Sequence, residues 1–266
     1  MTGGKGIARL LVVVAALAAF YVFIYLPVAV LVLFSFHAGT VPVPPFEGPT
    51  LEWYAEVLGN GRVTDGIFNS ILVGALSSLL ATGLGFLAAY GMARHSPPGS
   101  TVIQAAIMMP LTMSYLVIGL GLLILFSSLG FGKSLWLVGI GHVVINLPLC
   151  FAIIVSQLGG HQAALERAAR DLGASEFQVI ARVTVPLIWP ALFAAFCLAF
   201  TFSWDEFVIA FLLTSFDVTL PVVIWSMLRT GLNPETNAAG TLVFLVSLAV
   251  ALAFELAISR RKRTSS

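Results

Sequence analysis

Two adjacent carboxylates, Asp205 and Glu206, interrupt the apolar run FAAFCLAFTFSWDEFVIAFLL at residues 193–213. An ionisable group in such surroundings is costly and normally faces a cavity or a partner. Two chemistries fit: attraction of a cation along a pathway, or a hydrogen bond to a neighbouring helix. On a continuous helix the two side chains would point about 100° apart, so only one would line a path while the other pairs elsewhere. Asp205, roughly 6 Å beyond the centre of its segment, is the better placed for the pathway. His142 and Asn146 are four residues apart and share one helix face. No third ligand candidate accompanies them, so they read as inter-helix polar contacts, with pathway lining as the alternative and no metal site. Trp53 and Trp225 could stack on a cation or anchor the chain at a membrane interface.

Other apparent chemistry dissolves on inspection. FGKS at 131–134 resembles the end of a phosphate-binding loop, but the glycine required five residues before Gly132 is Ser127. Lys133 reads as an interfacial anchor, and if ATP is used, another subunit binds it. Neither HExxH nor GxSxG occurs, and no nucleophile stands beside a plausible base, so the chain does not read as an enzyme. Cys150 and Cys197 lie in apolar runs without paired spacing and read as small buried apolar residues.

The elements that must position these groups follow from composition. Only 9% of the 266 residues are charged, 59% are hydrophobic, and the mean hydropathy is +1.02. A soluble domain is about a quarter charged, so lipid must be part of the solvent. A net charge of +1 gives no reason to expect nucleic acid as a partner. A span needs about 20 apolar residues, and helices satisfy their own backbone in lipid. Six stretches qualify, predicting an all-α membrane protein in a single transmembrane domain over 1–266: residues 10–36, 67–93, 101–127, 134–157, 185–213 and 237–258. The first is far longer than the h-region of a signal peptide. With a cytoplasmic N-terminus, ten of the thirteen Lys and Arg residues fall inside, and only Arg62, Lys133 and Arg229 outside. Both termini, and the polar segment 158–184, are therefore expected in the cytoplasm. Glu255 is expected to pair with the basic tail at 260–263, which would meet anionic lipid headgroups.

That cytoplasmic segment reads HQAALERAARDLGASEFQVIARVTVPLIWP. Helix formers run from Ala163 to Leu172, Gly173 suits a helix C-terminus, and Ser175 with Gln178 matches a capping box. Leu165, Ala169, Leu172, Phe177 and Ile180 supply apolar positions. Such a helix–turn–helix either hugs the headgroups or docks a cytoplasmic partner.

The segment resembles the EAA loop of bacterial ABC-importer permeases, roughly EAA-x3-G-x9-I-x-L-P. Arg167, Ala168 and Ala169 take the EAA places, Gly173 the glycine, Val183 the isoleucine, and Val185 and Pro186 the final pair. Arg167 stands where the motif has glutamate, with Glu166 beside it. WY at 53–54, NSI at 69–71, MPLTMSYLVIGLGLL at 109–123, SWDEFVIAFLL at 203–213 and TLPVVIWSMLRTGLNPETNAAGTL at 219–242 are similar to the second permease of spermidine/putrescine-type importers. Where that branch often has an acidic residue early in its third span, this chain has Tyr115, which offers a hydroxyl and a π-face but no charge.

The resemblance implies a type I importer fold, in which Glu166, Arg167, Ala168, Ala169, Gly173, Val183 and Pro186 couple to an ATPase. Asp205, Glu206, Tyr115, Trp53, His142 and Asn146 are the candidates for the pathway. It further implies a bacterial inner-membrane location and a second, related permease as partner. Two cytoplasmic ATPase subunits that hold ATP and Mg, and a periplasmic or extracellular solute-binding protein, complete the implied complex. A polyamine or related amine is the implied cargo, an opine, quaternary amine or other small solute the alternative. An ion-coupled secondary transporter is the reading from another class, although no inverted repeat with broken helices is visible.

Overall fold

In the computed structural model the backbone is described for residues 3–95, 97–231 and 233–264, and side chains for 9–95, 97–231 and 233–252. The expected pairing of Glu255 with the basic tail lies outside the described side chains. Every regular element among the described residues is helical: α1 (Gly3–Ser35), α2 (Glu52–Gly59), α3 (Gly61–His95), α4 (Ser100–Met108), α5 (Tyr115–Ser128), α6 (Leu135–Val155), α7 (Gly160–Asp171), α8 (Glu176–Val179), α9 (Val185–Asp205), α10 (Val208–Leu213), α11 (Leu220–Thr230) and α12 (Pro234–Thr264). Five of the helical runs are long and apolar enough to cross a membrane, and a sixth forms if a bent pair counts as one span.

Two compact units are present. The first comprises residues 1–61 and 224–244. In it, the loop after α1 is pinned around His37, which is buried. Trp53 Nε1 donates to the His37 carbonyl at 2.7 Å, and the Glu47 amide donates to His37 Nδ1 at 3.3 Å. The second unit comprises residues 62–223 and 245–266. One of its cores joins α3, α6 and α9 through Ala81, Phe86, Cys150, Phe151, Ile188 and Ala195. Gly85 makes the α3–α6 crossing tight: a Cβ there would lie 2.9 Å from Cys150 Cβ and 3.0 Å from the Phe151 amide nitrogen. Small residues allow this close approach, which is how helices gain packing energy in lipid. The other core joins α5, α6 and α10 through Ile118, Val138, Ile145, Ile209 and Leu213. Gly119 and Gly141 give way there to Leu212 and Ile209.

Two of the six expected spans are not continuous. The third is broken: α4 runs into a 3₁₀ turn at Met109–Thr112, and α5 leaves at 107° to that first half. Pro110 sits early in the turn, where its missing N–H is harmless, and Ser114 caps α5 by accepting from the Leu116 amide. The fifth span, expected over 185–213, ends at Asp205, and the chain turns extended at Glu206 before α10 begins. Asp205 and Glu206 are therefore not successive residues of one helix, and the 100° separation expected of them does not hold.

Candidate functional site

The break after α9 places a polar cluster inside the second unit. Glu206 is buried, and its carboxylate accepts from the amides of Ile209 and Ala210, so it caps α10. A carboxylate at a helix N-terminus satisfies orphan amides. The same carboxylate faces His142 Nε2 on α6 at 3.3 Å. Because an ionised carboxylate only accepts, Nε2 is the donor. His142 Nδ1 bonds the Ser203 hydroxyl, which in turn meets the Ser77 hydroxyl of α3 at 3.1 Å. Asn146, one turn along α6, donates to the Ala199 carbonyl at 3.3 Å. The chain of groups thus ties α3, α6, α9 and α10 together. Asp205 takes the opposite role: it is exposed, and its one described partner is the Ser247 hydroxyl at 3.4 Å.

Of the other expected pathway residues, Tyr115 lies exposed at the start of α5, and Trp53 belongs to the first unit, where its indole nitrogen is occupied by the His37 carbonyl. No group of three or more His, Cys, Asp or Glu side chains among the described residues could hold a metal. Cys150 and Cys197 are buried and unpaired with each other.

The polar segment 158–184 is built by its caps. Gly173 adopts φ +87°, a conformation that favours glycine. Ser175 accepts from the Gln178 amide while the Gln178 side chain accepts from the Ser175 amide, completing the capping box. A single π-turn at Ile180–Thr184 then leads into α9. Val183 lies half-buried in that turn, and Pro186 opens α9.

Glu166, one of the expected ATPase-coupling residues, is fully buried. Arg94 at the end of α3 donates to it from Nε at 2.6 Å and from a terminal nitrogen at 3.1 Å, and Thr184 in the π-turn donates at 2.9 Å. Arg94 also donates to the Leu158 carbonyl at 3.1 Å. This clasp joins α3, α7 and the base of α9. Arg94 and Thr184 carry no sequence signal for this role, since nothing local links positions 72 and 18 residues from Glu166. A second ion pair joins the end of α7 to the start of α8. Arg170 grips Glu176 at 2.9 Å, and Tyr90 donates to the same carboxylate. The Arg170 guanidinium, with the Tyr90 hydroxyl, holds the Glu176 carboxyl down to about 2.

With Glu166 turned inward, α7 exposes Arg167, Ala168 and Leu165, with Leu172 and Phe177 just beyond, the last two 90% and 78% exposed. The small alanines leave the helix backbone open to close approach.

The chain is similar to known proteins. Residues 81–264 match the family described as "Binding-protein-dependent transport system inner membrane component". The chain is 30% identical over 248 residues to the spermidine/putrescine transport system permease protein PotC of Escherichia coli strain K12, covering 92% of this chain and 93% of PotC. It is 32% identical over 231 residues to the putrescine transport system permease protein PotI of the same strain, covering 84% and 82%. Among solved structures, a bacterial alginate ABC transporter in complex with an alginate pentasaccharide-bound periplasmic protein superimposes with a TM-score of 0.73. It is 18% identical and covers 98% of each chain.

Proposed function

This chain belongs to the family of binding-protein-dependent transport system inner membrane components, and we propose that it carries a polyamine or a related small amine across a bacterial inner membrane. It is an ABC-importer permease with a type I importer fold, which sets aside the ion-coupled secondary transporter. The observation that carries the amine reading is the likeness to PotC over nearly the whole of both chains.

In this reading the chain forms half of a permease pair with a related subunit, and a periplasmic solute-binding protein delivers the cargo. Two cytoplasmic ATPase subunits bind ATP and Mg, and their closure moves the α7–α8 segment. The Lys and Arg distribution supports a cytoplasmic location for that segment and for both termini. Ala168 and Ala169 admit the ATPase surface, while Gly173 sets the turn between α7 and α8. Val183 and Pro186 pass the movement into α9. Glu166 serves as a positioning residue: by way of Arg94 and Thr184, displacement of α7 is felt by α3 and α9 together. The exposed carboxylate of Asp205 is the cation-attracting group of the pathway. Glu206, His142 and Asn146 hold the break that presents it, and Tyr115 adds a neutral polar group.

The test is uptake of labelled putrescine, spermidine and a monoamine into proteoliposomes containing the whole importer. ATP-dependent amine uptake is expected, and Asp205→Asn should abolish it while assembly and ATP hydrolysis persist. An assembled, ATP-hydrolysing complex that takes up no amine would remove the polyamine assignment.

A further inference from the structure

Between the end of α3 and helix α7 lies an open cleft of about 340 Å³, lined by Arg94, His95, Ala163, Arg167, Arg170 and Glu176. Three of its walls are arginines and one is a carboxylate. The charges are unequally satisfied. Arg94 is neutralised by buried Glu166, and Arg170 by Glu176. Arg167 is exposed and has no ion-pair partner among the described residues. Asp171, one turn further along α7, is exposed too but makes no ion pair with it. At 100° per residue, Ala163, Arg167 and Arg170 share the cleft side of the helix, whereas Leu165 lies on the opposite side. Ala164 and Ala168 occupy the exposed arc between them. A partner seated on α7 would therefore meet alanines at its centre, Leu165 and Leu172 at one edge and an uncompensated guanidinium at the other.

We propose that the ATPase subunit serving this chain inserts a carboxylate side chain into this cleft and pairs it with Arg167. The inference rests on the reading of α7–α8 as the docking element. A guanidinium presents a fork of donors that fits a carboxylate with two parallel bonds. Because Arg94 and Arg170 are already paired, the charge left over in the cleft is that of Arg167, which would repel a cationic groove residue and be left unanswered by a neutral one. The pair selects the partner: an ATPase whose groove carries a basic residue at this place is excluded from this chain.

The experiment uses the whole importer purified through a tag on this chain and placed in nanodiscs of phosphatidylcholine, alone or with phosphatidylglycerol. ATPase retention and transport-coupled hydrolysis are measured for wild type, Arg167→Glu, Arg167→Gln and Leu172→Ser. Arg167→Glu should weaken ATPase retention at least about tenfold in both lipids, Arg167→Gln less, and Leu172→Ser should also release the ATPase. Lysine substitution of one groove carboxylate in the ATPase should then restore binding to Arg167→Glu. If Leu172→Ser releases the ATPase but Arg167→Glu retains it within about twofold, docking stands and the charge pair is wrong. Retention by both variants would overturn the docking reading itself. A loss confined to discs with phosphatidylglycerol would assign Arg167 to lipid headgroups and overturn the proposal.

Discussion

Replacing Arg94 by alanine should cost about 3 kcal/mol of stability, the low end of the penalty for removing one member of a buried ion pair. The Glu166 side chain is fully buried and accepts two hydrogen bonds from Arg94 and one from Thr184. Arg94→Ala leaves that carboxylate with the Thr184 hydroxyl as its remaining described partner. The retained bond, and the 10% exposure of the Arg94 side chain, which brings water to the rim, place the value below the upper end of about 5 kcal/mol. Glu166→Gln keeps volume and one acceptor and should cost less, about 2 kcal/mol, the worth of a hydrogen bond to a charged group. The assay is reversible unfolding of the purified permease in mixed micelles, run as a double-mutant cycle with Arg94→Ala, Glu166→Ala and the pair. A coupling energy above about 1.5 kcal/mol is expected for residues in direct contact. Additive single effects, or an Arg94→Ala cost within about 0.5 kcal/mol, the range of ordinary surface changes, would refute the clasp as a structural link.

Further expectations concern other parts of the second unit. Gly85→Ala should splay the α3–α6 crossing at a cost of about 1–3 kcal/mol, because the obstructing atoms include backbone. Gly83→Ala, with nothing within 4 Å, should survive a detergent heat challenge at least as well as wild type. His142→Ala removes the cross-helix donor to Glu206 and should destabilise by about 2 kcal/mol, with His142→Gln recovering part of it. Equal stability of the two variants would argue against that bond. The Glu176 carboxyl titrates at about 2, below its ordinary value, so its pairing with Arg170 contributes stability that is present above the unfolded-state pKa and is lost as pH falls toward 2. The stability gap between wild type and Glu176→Gln should be constant from pH 6 to 8 and shrink below about 4.5. A gap that changes near pH 7 would contradict this assignment.

The polar segment 158–184 was legible in the sequence because its determinants are local. The Ser175–Gln178 capping box and Gly173 act over three or four residues, and each stands in the structure where the spacing placed it. The apolar spans were legible as material but not as paths, because hydropathy counts residues without assigning direction. Pro110 followed by Ser114 carried the signal for the break in the third span, and an acidic pair ahead of VIAFLL carried the signal for a new helix start. Both were hidden inside runs that satisfied the length criterion. The Arg94–Glu166–Thr184 clasp and the His142–Ser203–Ser77 chain needed three-dimensional contacts that no periodicity encodes.

The bond between His142 and Glu206 also has a temporal side. The histidine precedes its partner by 64 residues, which at ribosomal speeds is on the order of 3–13 s. α6 is therefore made before the carboxylate of Glu206 leaves the ribosome, and a donor already waits at the place where that charge must be buried. A circular permutant that makes α9 before α6 would present the acid to lipid with no imidazole in reach. It should integrate α9 and α10 poorly, measurable as the fraction of chain protected from protease in the membrane, whereas a permutant that preserves the order of the two helices should integrate normally.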